Sequence, residues 1–307
     1  MVDRERLALD GLALFVQRAN APLVERLGAG PARRRHDATP LDRLLEGTPR
    51  VLWVGAHPDD ESFAGAILAK AGLRCHCPLH FLVLTRGEGG ECCLPSGPVA
   101  DLGAVRAQEL GHVAELYNAT LEVESFFNAS IPVESFPYRH ELANRWAELK
   151  DPAVVVAQTI RTFRPDVILT FAPDFGSTGH PEHQLTSRFT TAGIRLAAEP
   201  SGALAGNAHR VNNCYYVLNK YWFTRLSGMG WDPLPWTEAF PVRQACSAGM
   251  TCADFMAENS RPHLTQAADM GMMRVVAHSI HNLYLYRADP FVEVKDPYEP
   301  HFVRGMG

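Results

Sequence analysis

Two short runs hold the side chains best suited to chemistry: His57-Pro58-Asp59-Asp60-Glu61 and His180-Pro181-Glu182-His183. A histidine beside acids offers imidazole nitrogen and carboxylate oxygen, the donors that hold a divalent cation. In the first run, His57 and one carboxylate can face a metal while the other carboxylate faces bound water. Pro58 fixes its own backbone and restricts His57, so the turn is stiff. In the second run, histidines three residues apart can share a face at a helix start. One of them can complete a His-Asp-His set with His57 and Asp60. Three protein ligands leave a position open for water, the arrangement of a catalytic metal. The competing reading is helix capping, with Asp59 or Asp60 at the N-cap and Glu61 in the first turn. Capping accounts for one acid and leaves the rest of the cluster without a reason.

Both runs follow apolar segments. Residues 51–56 are almost continuously apolar, which suits a strand covered on both faces in a parallel sheet. The pattern then predicts a helix over 61–71, a strand over 79–85, and a helix over 101–116 with Asp101 at its N-cap. A third strand is expected at 121–127, a helix ending near Phe163, a fourth strand at 166–171 and a helix over 182–198. Alternating strands and helices predict an α/β domain whose sheet is mostly parallel. In such sheets, ligands bind beyond the carboxyl ends of the strands, where both runs fall. Outside this core, residues 3–27 read as an amphipathic helix and 41–46 as a short second one. Residues 211–218 read as a strand, Trp222 to Trp236 as irregular packed structure, and 263–283 as a helix. A tail with Pro290, Pro297 and Pro300 is expected to wrap the surface. With no repeat and no long polar linker, the chain reads as one domain over 1–307. Its core is 51–198, flanked by a helical extension at 1–49 and an elaboration at 199–307.

Composition narrows the partners. Hydrophobic residues make up 46% of the 307 positions and charged ones 21%, the balance of a soluble globular protein. A net charge of −5 argues against a broad nucleic-acid surface. The basic run Arg33-Arg34-Arg35-His36 reads as a solvated connector. No run of about twenty apolar residues spans a membrane, and acids stand where a secretory signal would be basic. A cytoplasmic location is therefore expected. The seven cysteines, odd in number and unevenly spaced, do not form a disulfide framework. Cys75-His76-Cys77, His80 and the Cys92-Cys93 pair read as plain side chains, because adjacent ligands strain a tetrahedral site.

In order and context, the two acid–histidine runs resemble the PIG-L/LmbE-like metal-dependent deacetylases. That family includes N-acetylglucosaminylphosphatidylinositol de-N-acetylases and the mycothiol and bacillithiol pathway deacetylases. The likeness extends over about 51–198. It takes in Thr85-Arg86-Gly87-Glu88-Gly89-Gly90 and Arg106 with Glu109-Leu110, and His278-Ser279-Ile280-His281 loosely matches a later histidine-containing helix. The resemblance implies an LmbE-like fold, a Rossmann-like, mostly parallel sheet flanked by helices. It implies one zinc ion per chain held by His57, Asp60 and His183, with Asp59 as general base and a cationic His180 stabilising the oxyanion. Arg86, Glu88 and Arg106 are the expected substrate-binding residues, since planar arginine donors suit sugar hydroxyls or phosphate. Arg106 and Glu109 also stand at ion-pair spacing on a helix. Two positions depart from the family pattern. Glu182 replaces a frequent aspartate and is expected to orient His180, while Thr178 stands where some relatives have tyrosine.

The expected activity is zinc-dependent removal of an N-acetyl group from an amino sugar or glycoconjugate, a small-molecule substrate, in a chain free to self-associate. An amidase for a larger N-acyl or thiol conjugate is the alternative enzyme, and a metal-binding scaffold without turnover is the alternative of another class. A compact polar pocket favours acetamido sugars; a wide one favours larger conjugates. The glycines near 87–90 do not form the strand–Gly-x-Gly-x-x-Gly–helix arrangement of a dinucleotide site.

Overall fold

Every residue of strand β1 (Val51–Gly55) is buried, as the unbroken apolar run requires of a strand with both faces covered. It lies inside a seven-stranded sheet in a computed structural model that describes residues 38–132, 135–200, 202–221, 231–247, 249–292 and 295–299. The other parallel strands are β2 (Leu79–Val83), β3 (Ala119–Val123), β4 (Val167–Phe171) and β5 (Asn213–Leu218), in the order β3-β2-β1-β4-β5. Past β5 the direction changes. There β9 (Asn282–Ala288) pairs antiparallel with β5, and β6 (Glu238–Pro241) pairs antiparallel with β9, while β7 (Ala245–Ser247) and β8 (Met250–Thr251) form a separate antiparallel pair. This is the expected α/β architecture, with an antiparallel edge added by the C-terminal elaboration.

Period-two alternation divides the core. Val51, Trp53, Phe81, Val83, Leu169 and Phe171 pack on one face with Ile67, Val113 and Met256. Leu52, Val54, Leu82 and Ile168 pack on the other with Trp146, Ile160 and Phe189. Asp101 caps the Leu102–Leu116 helix by accepting from the Ala104 amide at 2.9 Å, as expected of an N-cap acid.

Several expectations need correction. The third strand starts earlier than 121 and stops at Val123. Its place at the sheet edge leaves Glu122 free to accept from Thr159 Oγ1 at 3.1 Å. Instead of one helix, 61–71 contains a 3-10 turn (Asp60–Ala64), an α turn (Gly65–Ala69) and the start of a π turn (Lys70–Arg74). The stretch 263–283 is a 3-10 turn (Leu264–Gln266), a helix (Ala267–Ser279) and the beginning of β9. The alternately buried Leu283 and Leu285 mark that strand. Trp236 is half-exposed and packs against Tyr284, ring centroids 5.3 Å apart. The predicted 3–27 helix and Trp222 lie outside the described residues. Near the tail, Glu299 accepts from the buried Arg188 at 2.6 Å, which draws that segment onto the helix Pro181–Ala198. No helix among the described residues is long and apolar enough to cross a membrane.

Candidate functional site

The site is built at the carboxyl ends of two adjacent strands, β1 and β4. At the end of β1, Gly55 lets the chain fold back on itself. A Cβ there would lie 2.8 Å from Trp53 Nε1 and 3.2 Å from Asp60 Cβ. Asp60 uses the space: its Oδ2 accepts from the amides of Ala56 at 2.7 Å and His57 at 2.8 Å. Neither aspartate caps the following turn through its side chain, so the capping alternative fails. Asp59 instead has a φ of 125°, a conformation that costs a non-glycine residue energy and must be held by its surroundings. Its carboxylate accepts from Gln266 Nε2 at 2.5 Å and Arg106 Nη2 at 3.4 Å, and its amide donates to Glu61 at 3.1 Å.

At the end of β4, His180 is the N-cap of the Pro181–Ala198 helix, and its Nδ1 accepts from the Glu182 amide at 3.3 Å. That bond leaves the Nε2–H as the ring's donor. His183 stacks on Phe171, the last residue of β4, with ring centroids 4.2 Å apart. Its Nδ1 donates to the Gly176 carbonyl at 2.9 Å, so Nε2 is left as a free acceptor.

Three donors converge. His57 Nδ1 lies 3.2 Å from His183 Nε2, His183 Nε2 lies 3.1 Å from Asp60 Oδ1, and His57 Nδ1 lies 3.6 Å from Asp60 Oδ2. Ligands bonded at about 2.0–2.1 Å in a tetrahedron stand about 3.3 Å apart, so the spacing and the N,N,O chemistry both fit zinc. A second possible group, His57, His180 and Glu182, lies close by. Glu182, however, is already occupied. It accepts from His57 Nε2 at 2.5 Å, Asn128 Nδ2 at 2.7 Å and the Ala129 amide at 2.7 Å. Its work is to fix the His57 tautomer and turn Nδ1 inward, the usual role of a carboxylate behind a ligating histidine. Glu182 was expected to orient His180. It orients His57 because its side chain turns into the buried side of the helix.

Electrostatics follow this geometry. Burial disfavours charge on His57, but the Asp60 and Glu182 carboxylates outweigh it and lift its pKa to about 10. Burial also opposes charge on Asp60, yet His183 and His57 hold that carboxyl well below the usual range. Burial raises Asp59 to about 6 against the pull of Arg106, and neighbouring Asp60 adds to the rise. Burial, then His183 and His57, push His180 well below the usual histidine value. That direction favours the neutral imidazole over the expected cation.

His57, Asp59, Asp60, His180, His183 and Arg106 all line one cavity. Arg106 is buried, and its guanidinium is taken up by the carbonyls of Gly87 and Pro58 and by Asp59. Gly87 permits this approach: its φ is +68°, and a Cβ would come within 2.5 Å of Arg106 Cζ. Glu109 does not pair with Arg106; it accepts from Thr265 at 2.9 and 2.5 Å. Arg86 points to Asp101 at 3.4 Å and Glu88 is exposed, both away from the cavity lining. The expected later histidines fall elsewhere too. His281 is exposed, and His278 lies outside the lining.

Sequence reasoning missed His263, Thr265 and Gln266. His263 Nε2 meets Glu61 at 2.8 Å, which ties the C-terminal elaboration to the run that carries Asp59. The signal was the polar string His263-Leu264-Thr265-Gln266 opening a predicted helix. Asn128 is likewise buried, between Gly89 and Glu182.

Residues 52–194 match the family model described as PIG-L, GlcNAc-PI de-N-acetylase. A 1D-myo-inositol 2-acetamido-2-deoxy-alpha-D-glucopyranoside deacetylase of Mycobacterium sp. (strain KMS) is 32% identical over 165 residues, 50% of this chain and 53% of that protein. The chain thus spans about half the length of the curated relative. Among solved structures, the A40926 pseudoaglycone deacetylase Dbv21 superposes with a TM-score of 0.53 at 16% identity, covering 78% of this chain and 97% of that one. GalB, a 4-carboxy-2-hydroxymuconate hydratase from Pseudomonas putida KT2440, superposes with a TM-score of 0.54 at 14% identity, covering 80% and 98%. A deacetylase and a hydratase fit equally well, so the fold alone does not select the reaction.

Proposed function

From the match of residues 52–194 to the PIG-L family model, we propose that the chain is a zinc-dependent hydrolase of that family, removing an N-acyl group from an amino sugar of the N-acetylglucosamine type. The observation that carries the reading is the convergence of His57 Nδ1, Asp60 and His183 Nε2 beside Asp59, a carboxylate left outside the ligand set. Zinc held by such donors supplies Lewis acidity toward an amide carbonyl and lowers the pKa of water. Asp59, with its pKa lifted to about 6, takes a proton from the attacking water and returns it to the departing amine nitrogen. Gln266 and Arg106 hold the Asp59 carboxylate in position for both transfers. His180 acts as a neutral donor through Nε2–H toward the oxygen that gains negative charge. Glu182 keeps His57 in the ligating tautomer. The acetamido-sugar substrate class rests on the curated relatives' activity. We read 1–307 as one catalytic unit, with one zinc per chain and a small-molecule substrate.

The test is acetate release from N-acetylglucosamine conjugates by the zinc-loaded protein and its Asp59→Asn variant, with zinc content measured in parallel. The variant should keep its zinc and lose about 10²–10⁴-fold in kcat. Undiminished turnover removes Asp59 as the base.

A further inference from the structure

The cavity that holds the catalytic groups has a volume of about 520 Å³ and extends well beyond them. One stretch of its lining is mostly hydrocarbon and thioether, Met256, Met270, Met272, Met273, Val276 and Leu283, with Asp269 the one acid on the same helix. Met270, Met272, Met273 and Val276 belong to the Ala267–Ser279 helix, Met256 to the Cys252–Asn259 helix and Leu283 to β9. The lining reaches solvent at Met272, which is 50% exposed, and at Ile131, which is 41% exposed.

A site that grips a bare sugar needs polar groups with bonds to spare, because each hydroxyl brought out of water must find a partner. Several polar side chains that line this cavity are already engaged. Arg106 serves Gly87, Pro58 and Asp59 with its terminal nitrogens; Asn128 serves Gly89 and Glu182; Gln266 serves Asp59 through Nε2; and Ser177 donates to the Val217 carbonyl at 3.0 Å, which leaves Arg106 Nε and Gln266 Oε1 as the atoms of these four without a partner among the described residues. Methionine side chains are flexible and polarisable, so they fit hydrocarbon of irregular shape. A wall of them gives little to a hydroxyl and much to a methylene.

We infer that the substrate carries an apolar substituent on its amide, and that the methionine wall is the subsite that takes it. The substituent is an acyl chain longer than acetyl or an apolar group on the amine side; the chemistry of the subsite is the same for both. This inference rests on the site being an amide hydrolase, and it makes the wall the specificity-determining surface. Each methylene buried there gains roughly fourfold in affinity, at about 0.8 kcal/mol per CH₂.

The experiment uses the full-length, zinc-loaded protein and two series. One is N-acylglucosamines from acetyl to decanoyl; the other is alkyl 2-acetamido-2-deoxyglucosides from methyl to octyl. kcat/KM is measured for each, and calorimetry gives Kd for the matching sulfonamides, which are not hydrolysed. Expected along at least one series are a rise in kcat/KM and a fall in Kd, each on the order of 100-fold, the gain from about three to four buried methylenes, with the responding series identifying the side that carries the chain. Met273→Gln, of nearly the same volume, should flatten that slope. Cleavage without chain-length dependence in either series overturns the subsite and leaves the hydrolase reading standing. A Kd that tightens with chain length without any cleavage supports the subsite and sinks the hydrolase reading. A flat Kd in both series overturns the subsite whether or not cleavage occurs.

Discussion

The floor and the wall of the cavity come from different parts of the chain. The floor, His57, Asp59, Asp60, His180 and His183, lies within the family segment, in turns that leave β1 and β4. The wall comes from 256–283, beyond that segment. The floor is polar and densely hydrogen-bonded, as buried ligands and charges must be. The wall is apolar and makes few directional demands. On the proposed reading, one region sets which bond is broken and the other sets what is attached to it. The division has one exception: Gln266, at the foot of the wall, holds the Asp59 carboxylate at 2.5 Å.

Substitutions can break this division or sharpen it. His183→Ala should have the largest effect, dropping zinc from one per chain to near zero by atomic emission and abolishing turnover on every substrate. Full occupancy would remove His183 from the floor. Glu182→Gln comes next. Three donors point at this carboxylate, and an amide can accept with only one of its two ends. Zinc affinity measured by competition with a chelator should fall about 10–100-fold. Gln266→Leu should lower kcat about tenfold, the value of one hydrogen bond to a charged group, while zinc affinity stays unchanged. A loss of zinc in that variant would mean that the wall supports the whole floor and not the base alone. Arg86→Ala should change kcat/KM by less than about twofold on any substrate, since its exposed pair with Asp101 is solvent-screened. A larger loss would restore Arg86 to substrate binding.

The legible parts were those in which neighbours in the chain are also neighbours in space. Residues 51–56 and 166–171 read as doubly covered strands because each face needed its own apolar residues. The two runs read as a metal site because each puts its donors within a few residues at the end of a strand. Direction was harder to read than position. The family resemblance paired Glu182 with His180, yet burial turned it to His57. Spacing paired Arg106 with Glu109, yet the loop at Gly87 claimed the guanidinium and Thr265 claimed the carboxylate.

The donor set, the strands that carry it and the class of chemistry were thus written in local order, because a tight turn after a buried strand leaves its side chains few places to go. Three matters waited for the folded chain. His263 and Gln266 reach Glu61 and Asp59 across more than two hundred residues, and no local pattern encodes that approach. The charge of His180 depends on the burial and the imidazoles packed around it. The apolar wall exists only because the Ala267–Ser279 helix and β9 bring residues far from both runs in sequence to the lining of the same cavity.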